Sequence, residues 1–379
     1  MEFRVLSRRT FLTGSAAAGA AALLPSCRRH RAFSGYAFVA NQEGRAIAAV
    51  DLAIFAVTRY IRLNGAPTAV IADPIRQTAY ALTPENGLLH EIRADRLALG
   101  RTLAVARSAV SMRLSPDGEI IFVASRDPRR LTAVSLKDLR AAWSVTLSGD
   151  PLDFDIAPTG THAAVSYGKA GAVQLIDLTA RRAAPTEIIT SEVGQLRFVG
   201  GPQHLENLLV ADLSGRVLQA LQVPTGRLIT KLPLGVRPEH FCFNTDGGQL
   251  FITGDGMDAL VIVYPWFTPQ IGETVLAGRS PGAMAASDTL LFVANSASGD
   301  ISIFNIDSRR IVGVAPAGTN PSFIAITPDN EYALVLNQNS GDMAVLWIPA
   351  ITRRHGRISP LFNMIPVGSK PVAAAVLPV

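Results

Sequence analysis

The sequence contains little cysteine, with only Cys27 and Cys242 among 379 residues. A small domain held together by several disulfides is therefore excluded, because the chain could form one bridge at most. Cys242 lies in the apolar segment 239–243, where a cysteine usually behaves as a small buried hydrophobic residue. Charged residues make up only 17% of the chain and aromatic residues 7%. This balance is typical of a protein whose β-sheets are buried on both faces.

Motifs of known catalytic and cofactor sites are also missing. The sequence has no Gly-x-Ser-x-Gly motif, no glycine-rich phosphate loop before a helix and no Cys-x-x-Cys-His haem attachment motif. No two histidines stand at the HxH, HxxxH or HExxH spacings that favour a metal site. The six histidines are His30, His90, His162, His204, His240 and His355. No metal site, cofactor or catalytic residue is therefore evident from motifs.

A strongly basic surface is lacking as well. The formal net charge is +5 at pH 7, and the basic residues are scattered along the chain. Nucleic acid binding usually requires a basic stripe with aromatic residues for base stacking. We therefore expect no nucleic acid partner.

What the sequence does contain is a repeat. Two clear copies read Phe-Val-Ala-Asn, at Phe38–Asn41 and at Phe292–Asn295. Six degenerate copies begin at Tyr80, Phe122, Ala164, Leu209, Phe251 and Leu334. The eight starts are separated by 42, 42, 42, 45, 42, 41 and 42 residues. A period of this size, with short apolar runs between turns, predicts an all-β fold: a single β-propeller of four-stranded blades.

The four strands of a blade can be read from one repeat. Residues 281–286, 290–294, 301–306 and 311–316 form four apolar or alternating runs that are separated by turn residues. A glycine followed closely by a proline precedes most first strands, where proline removes no ladder hydrogen bond. These turns lie at 65–67, 149–151, 235–238, 278–281 and 368–371.

The count of strands predicts eight blades and the way in which the ring closes. The chain begins with a second strand at 36–41 and ends with a first strand at 372–379, so both should complete one blade and remove a free sheet edge. Eight blades over residues 36–379 give about 43 residues each, close to the observed period. Seven blades remain the alternative if one weak repeat, at Ala164 or Leu209, has merged with its neighbour.

The N-terminal region indicates export. Arg8 and Arg9 precede Phe11-Leu12 and an Ala/Gly-rich apolar run at 16–24, and this whole segment resembles a twin-arginine signal. The apolar run is too short to span a bilayer as a helix. The segment ending at Cys27 resembles a lipobox, although proline at position 25 departs from it. We therefore expect a signal over residues 1–27, a basic linker over 28–35 and the propeller over 36–379. A periplasmic protein and one anchored to the membrane through a lipid on Cys27 both remain open.

The repeats resemble those of the YVTN β-propeller family, which includes YncE-like periplasmic proteins and archaeal surface-layer proteins. The resemblance rests on the Phe-Val-Ala-Asn segments, the Gly-x-x-Pro turns and the Ile301–Asp307 type of strand, and it covers nearly all of residues 36–379. The repeats are also similar to the cytochrome d1-like propeller, to the amine dehydrogenase heavy chain and to bacterial lactonases. The resemblance implies the fold and says little about function, because the motif residues are structural.

Candidate ligand-binding residues follow from the geometry of a blade. The loop after the second strand and the loop entering the first strand should lie on one face, around the mouth of the central channel, where propellers bind small molecules. The residues expected there are Asn41, Arg107, Asp150, Arg237, His240, Asn295, Asn320 and Asn337. Their mixed charge favours a small polar or anionic molecule.

The function predicted from the sequence is non-catalytic. We expect an exported, monomeric propeller that binds a small polar ligand or a protein partner at the cell envelope. One alternative is an enzyme of the lactonase or dehydrogenase-subunit type, and another is an accessory protein for a haem-type cofactor. A second candidate surface is the pair of outer hairpins at 264–269 and 352–357, where aromatic and basic residues could contact a partner.

Overall fold

Short β-branched and alanine-rich runs separated by turns form a ring of antiparallel sheets. The computed structural model describes residues 32–199, 207–353 and 359–379, and Phe33–Val379 form one compact unit. The described strands form eight sheets, each antiparallel. Arg8, Arg9 and Cys27 lie outside the described residues. None of the described helices is long and apolar enough to cross a membrane.

The first half of the chain supplies blades 1 to 4, numbered by the repeats that they contain. Its strands are β1 (Gly35–Asn41), β2 (Ala46–Asp51), β3 (Ala56–Arg62), β4 (Ala69–Asp73), β5 (Thr78–Thr83), β6 (Leu88–Arg93), β7 (Ala98–Ala104), β8 (Arg107–Leu114), β9 (Ile120–Asp127), β10 (Arg129–Ser135), β11 (Arg140–Thr146), β12 (Asp153–Ile156), β13 (His162–Ser166), β14 (Ala172–Asp177), β15 (Arg182–Ala183) and β16 (Glu187–Ile188). A 3-10 turn spans Gly168–Ala170.

The second half supplies blades 5 to 8 and the closing strand. Its strands are β17 (Val193–Phe198), β18 (Asn207–Asp212), β19 (Val217–Gln222), β20 (Leu228–Pro233), β21 (His240–Phe243), β22 (Leu250–Thr253), β23 (Ala259–Tyr264), β24 (Gln270–Leu276), β25 (Pro281–Ala286), β26 (Leu290–Asn295), β27 (Asp300–Asn305), β28 (Arg310–Pro316), β29 (Pro321–Ile326), β30 (Tyr332–Asn337), β31 (Asp342–Trp347), β32 (Leu361–Pro366) and β33 (Pro371–Pro378). One short helix, α1 (Ile348–Arg353), lies between β31 and β32.

The hydrophobic core lies between neighbouring blades. Phe38 and Ala40 pack against blade 2, whereas Ala37 and Val39, on the other face of β1, pack against blade 8. Alternate residues of a strand point to opposite faces, and both faces of this blade are covered by another blade. Residues 37–40 of β1 are therefore all apolar, and the strand does not alternate between apolar and polar residues.

The ring closes as the sequence predicts. β33 pairs antiparallel with β1, from Gly35 opposite Pro378 to Asn41 opposite Pro371, and the sheet order is β3-β2-β1-β33. The first strand of each blade also contacts the first strand of the next one around the full circle. Eight blades and the joint closing blade are confirmed, and the seven-blade alternative is wrong.

Blade 4 departs from the regular pattern in its fourth strand. Two fragments, β15 and β16, pair with opposite ends of β14. Pro185 lies between them and has no N–H to donate, although Ala184 N still donates to Leu175 O at 2.8 Å. The outer edge of this blade is therefore interrupted.

Candidate functional site

The loops expected around the channel mouth lie on one face, which we call the upper face. It carries the loops that join second to third strands and those that enter the first strands. Across these two kinds of loop, Gln42 N donates to Lys370 O at 3.0 Å, and Leu63 N donates to Arg45 O at 2.8 Å. The upper face is thus a connected rim.

Three of the predicted rim residues, Asn41, Asn295 and Asn337, are buried. The amide nitrogen of Asn41 donates to Val367 O at 2.6 Å, which joins the end of β1 to the loop entering β33. Asn295 and Asn337 each donate to the aspartate five residues later, at 2.7 and 2.6 Å. These amides hold the loops of their own blades, so we do not carry them into the proposed binding site.

Three others, Arg107, Asp150 and Asn320, lie at separate places on the rim. Arg107 is exposed at the start of β8. The Asp150 carboxylate accepts from Arg129 Nε at 2.6 Å in an exposed ion pair. Asn320 has φ of 57° and its amide donates to Gln338 Oε1 at 3.2 Å. The structure does not bring these three side chains together.

The remaining two, Arg237 and His240, lie on the loop and strand that enter blade 6. Arg237 is held by two carboxylates, that of Glu192 at 3.1 Å and that of Glu239 at 3.2 Å. His240 begins β21 and lines an open pocket of about 520 Å³ at the upper face, between blades 6 and 7. We call it the upper-face pocket.

The pocket forms where blade 6 departs from the repeat. Its lining residues are Glu239, His240, Gly254, Asp255, Gly256, Met257, Asp258, Ser280, Pro281, Gly282 and Ser296. Gly254 occupies the motif position that asparagine holds at Asn41 and Asn295. A Cβ at Gly254 would lie 1.7 Å from Arg237 O, so only glycine allows this approach of the two loops.

Hydrogen-bond acceptors dominate the chemistry of the pocket. Glu239, Asp255 and Asp258 provide carboxylates, and no lysine or arginine is among the lining residues. Burial lowers the pKa of His240 below its usual value, with Glu239 opposing this shift, so the imidazole is neutral at neutral pH. The lining thus offers the expected anionic ligand no cationic side chain, although the Arg216 guanidinium lies against Gly256, one of the lining residues.

Sequence reasoning missed a second polar cluster, on the first strands of blades 3, 4 and 5. Asp153 bridges two arginines: its Oδ1 lies 3.2 Å from Arg113 Nη2 and its Oδ2 lies 2.6 Å from Arg197 Nη1. Asp155 accepts from Phe198 N at 2.9 Å. Arg113, Asp155 and Arg197 are spaced by 42 residues. This recurrence of charge within apolar strands is the signal that could have identified them.

Asp155 should make stability depend on pH. Burial raises the pKa of its carboxyl, although Arg197 and Arg113 oppose the shift. The folded protein therefore loses stability as the pH rises from the usual value of 3.8 through the raised pKa. We expect Asp155→Asn to unfold at a higher temperature than the wild type at pH 8, with the difference shrinking towards pH 4. A thermal unfolding series against pH measures this, and a constant difference at every pH would contradict it.

The described residues contain no group of three or more His, Cys, Asp or Glu side chains placed to hold a metal ion. Cys242 is partly buried and free, and burial raises the pKa of its thiol to about 12, so it is not a reactive thiolate at neutral pH.

The outer hairpin of blade 6 is partly folded back. Trp266 Nε1 donates to Gly247 O at 2.9 Å, and 39% of the residue remains exposed. Phe267 is 58% exposed, and its carbonyl accepts from Asn207 in blade 5 at 3.2 Å. In blade 8, α1 occupies the start of the second hairpin, and residues 354–358 lie outside the described part.

The fold and the N-terminus define an exported eight-bladed β-propeller. The model for the twin-arginine translocation (TAT) pathway signal sequence matches residues 5–25. The chain therefore carries a signal for export across the cytoplasmic membrane. No relative is found among the curated protein sequences.

Solved propellers share this fold at low sequence identity. Dihydro-heme d1 dehydrogenase NirN, in complex with DHE, is 13% identical with a TM-score of 0.72, over 93% of this chain and 77% of that chain. Apo AztD from Citrobacter koseri is 11% identical with a TM-score of 0.69, over 91% and 98%. A putative 6-phosphogluconolactonase from Bacteroides fragilis is 15% identical with a TM-score of 0.58, over 82% and 97%. The fold agrees with the resemblance to YVTN propellers.

Proposed function

We propose that this protein is a non-catalytic β-propeller that binds a small polar ligand at the cell envelope, in the upper-face pocket. The observation that carries the proposal is the pocket itself: it is open, has a volume of about 520 Å³ and is lined by polar side chains at the channel mouth. Pockets of this size commonly hold small molecules. The lining favours a ligand rich in donors, such as ammonium or hydroxyl groups, because it offers three carboxylates and a neutral imidazole.

The structural neighbours are named for different activities, a dehydrogenase and a lactonase among them. One fold therefore serves several chemistries, and function must be argued from the site. The alternatives of a lactonase, a dehydrogenase subunit or a haem-type accessory protein are supported only by likeness of fold. Because no lysine or arginine lines the pocket, we expect it to bind a sugar phosphate or a carboxylate-bearing cofactor poorly.

The pocket can be tested with a panel of small amines, polyols and carboxylates in a thermal shift assay. A bound ligand should raise the melting temperature of the wild type. The variants His240→Gln and Asp255→Asn should each weaken its binding about tenfold, the effect of losing one hydrogen bond to a polar or charged group. Asp307→Asn is the matched control, because Asp307 is exposed on the face opposite the pocket.

The result that would overturn this choice of site is a ligand whose affinity survives both pocket substitutions. If its affinity instead falls on Trp266→Ala, the outer hairpin of blade 6 is the binding surface. Substitution of Arg237 is a weaker test, because it also frees the carboxylates of Glu192 and Glu239 from their ion pairs.

Export should depend on the twin-arginine motif. We propose a periplasmic location, with the mature protein either free or anchored by a lipid on Cys27. Replacing both Arg8 and Arg9 by lysine should retain the protein in the cytoplasm, and cell fractionation measures this. Unchanged delivery would refute the route, and the intact mass of the mature N-terminus distinguishes the free from the lipidated form.

A further inference from the structure

The eight first strands place one residue each at the same level of the central channel wall. Each of these residues pairs with the first residue of a repeat motif, as Arg113 does with Phe122. We call the set the axial ring. Its members are Ile71, Arg113, Asp155, Arg197, Cys242, Ala285, Ala325 and Ala375.

The axial ring has two unlike halves. Arg113, Asp155 and Arg197 are consecutive and charged, whereas the five other members are alanine, isoleucine or cysteine. The side chains of Arg113 and Arg197 are 32% and 22% exposed, so both reach the solvent. Charged groups that are this far buried usually pair with an opposite charge, and Asp153 provides one carboxylate for the two arginines.

The hydrogen bonds of the two arginines leave donors unused. Arg113 Nη1 donates to Met112 O at 3.1 Å, and Arg197 Nη1 donates to Leu196 O at 2.5 Å. Beyond these carbonyls, Asp153 is the acceptor that both share. Within the described part of the chain, the Nε atoms of both arginines and Nη2 of Arg197 meet no acceptor.

Two neutral side chains on the strands that carry the arginines are also unsatisfied. Ser111 and Gln195 each stand two residues before an arginine on the same strand. Ser111 Oγ and Gln195 Oε1 are buried, and neither has a hydrogen-bond partner in the described structure. Buried polar atoms normally have partners, so the strands that carry the two arginines keep an unsatisfied hydroxyl, at Ser111, and an unsatisfied amide oxygen, at Gln195.

The two guanidinium groups that Asp153 joins make this cluster a candidate site for an anion, although Asp155 balances the second positive charge when it is ionised. Two guanidinium groups face one carboxylate in direct contact, that of Asp153. Asp155 lies within electrostatic range of both arginines, but no ion pair within 4.0 Å joins it to another described residue. A monoanion would meet less repulsion from the two aspartates than a dianion would.

We propose that the charged half of the axial ring binds a small carboxylate that carries an apolar body. The carboxylate would accept from the free N–H groups of Arg113 and Arg197, whose planar forks match its two oxygens. The apolar body would lie towards the alanine half of the ring. This site is separate from the upper-face pocket and goes beyond the proposed function.

The test is calorimetric titration of the mature protein with benzoate, with benzyl alcohol as the uncharged analogue and inorganic phosphate as the alternative anion. Benzoate should bind and benzyl alcohol should not. Arg113→Gln and Arg197→Gln should each weaken benzoate binding at least tenfold. Arg310→Gln is the control, because Arg310 is exposed on the outer strand β28, and it should leave the affinity unchanged.

A second variant keeps the proposal testable if an arginine substitution prevents folding. Asp155→Asn removes a negative charge without removing a donor, so it should strengthen benzoate binding. His240→Gln should not change it, which separates this site from the upper-face pocket. The proposal is overturned if the wild type does not bind benzoate, if phosphate binds more tightly, or if Asp155→Asn weakens the binding.

Discussion

Deletion of residues 372–379 is expected to abolish accumulation of soluble protein. β33 pairs along the whole of β1, and its residues Ala373, Ala374 and Leu377 lie in the cores that blade 1 shares with blades 2 and 8. Exposure of several hundred Å² at about 25 cal/mol per Å² costs on the order of 10 kcal/mol. This is comparable with the net stability of a whole domain. The unpaired edge of β1 would also favour aggregation.

Soluble yield and the melting temperature measure this effect. The matched control is removal of Val379 alone, which is 66% exposed, lies beyond the last residue of β33 and makes only terminal hydrogen bonds with Ser34. The control should accumulate normally, with a melting temperature close to that of the full chain. A soluble 372–379 deletion with an unchanged melting temperature would contradict the energetic role that we assign to the closing strand.

The second large effect is expected from Asp153→Ala. This change leaves Arg113 and Arg197 without the carboxylate that they share. Removal of one partner from a buried ion pair typically costs about 3–5 kcal/mol. Because both arginines keep some contact with solvent, we expect the free energy of unfolding to fall by about 3 kcal/mol, the lower end of this range.

Urea unfolding measures this loss, and Asp150→Ala is the control. Asp150 also contacts an arginine, Arg129, but its side chain is 57% exposed, so this pair should contribute about 1 kcal/mol or less. Equal losses in the two variants would show that Asp153 has no special role.

The fold could be predicted almost completely from the sequence, because the period depends on many residues at once. The repeat starts, from Phe38 to Leu334, fixed the number of blades even where the motif was degenerate. The broken fourth strand of blade 4 could not be foreseen in detail, since its two fragments depend on how residues around Pro185 pair with β14.

The site was less predictable, because a repeat position does not reveal the direction in which its side chain points. Asn41 and Asn337 were expected on the rim, but their amides turn inwards and hold the loops. His240 does line a pocket. The pocket depends on Gly254, because any side chain at this position would clash with the loop of Arg237. Arg113 and Arg197 appear in the sequence as scattered charges, and only alignment of the repeats brings them to one level.

The closing blade also constrains how the protein is made. Its innermost strand, β33, follows the other seven blades in the chain, whereas its partner β1 precedes them, so the ring stays open until β33 has left the ribosome. The first blade therefore cannot be completed while the blades between β1 and β33 are being made, although domains commonly fold during synthesis. The ring has to close late, in the cytoplasm if the chain is exported already folded. A chaperone that shields the open edge of β1 during this interval would have a clear role.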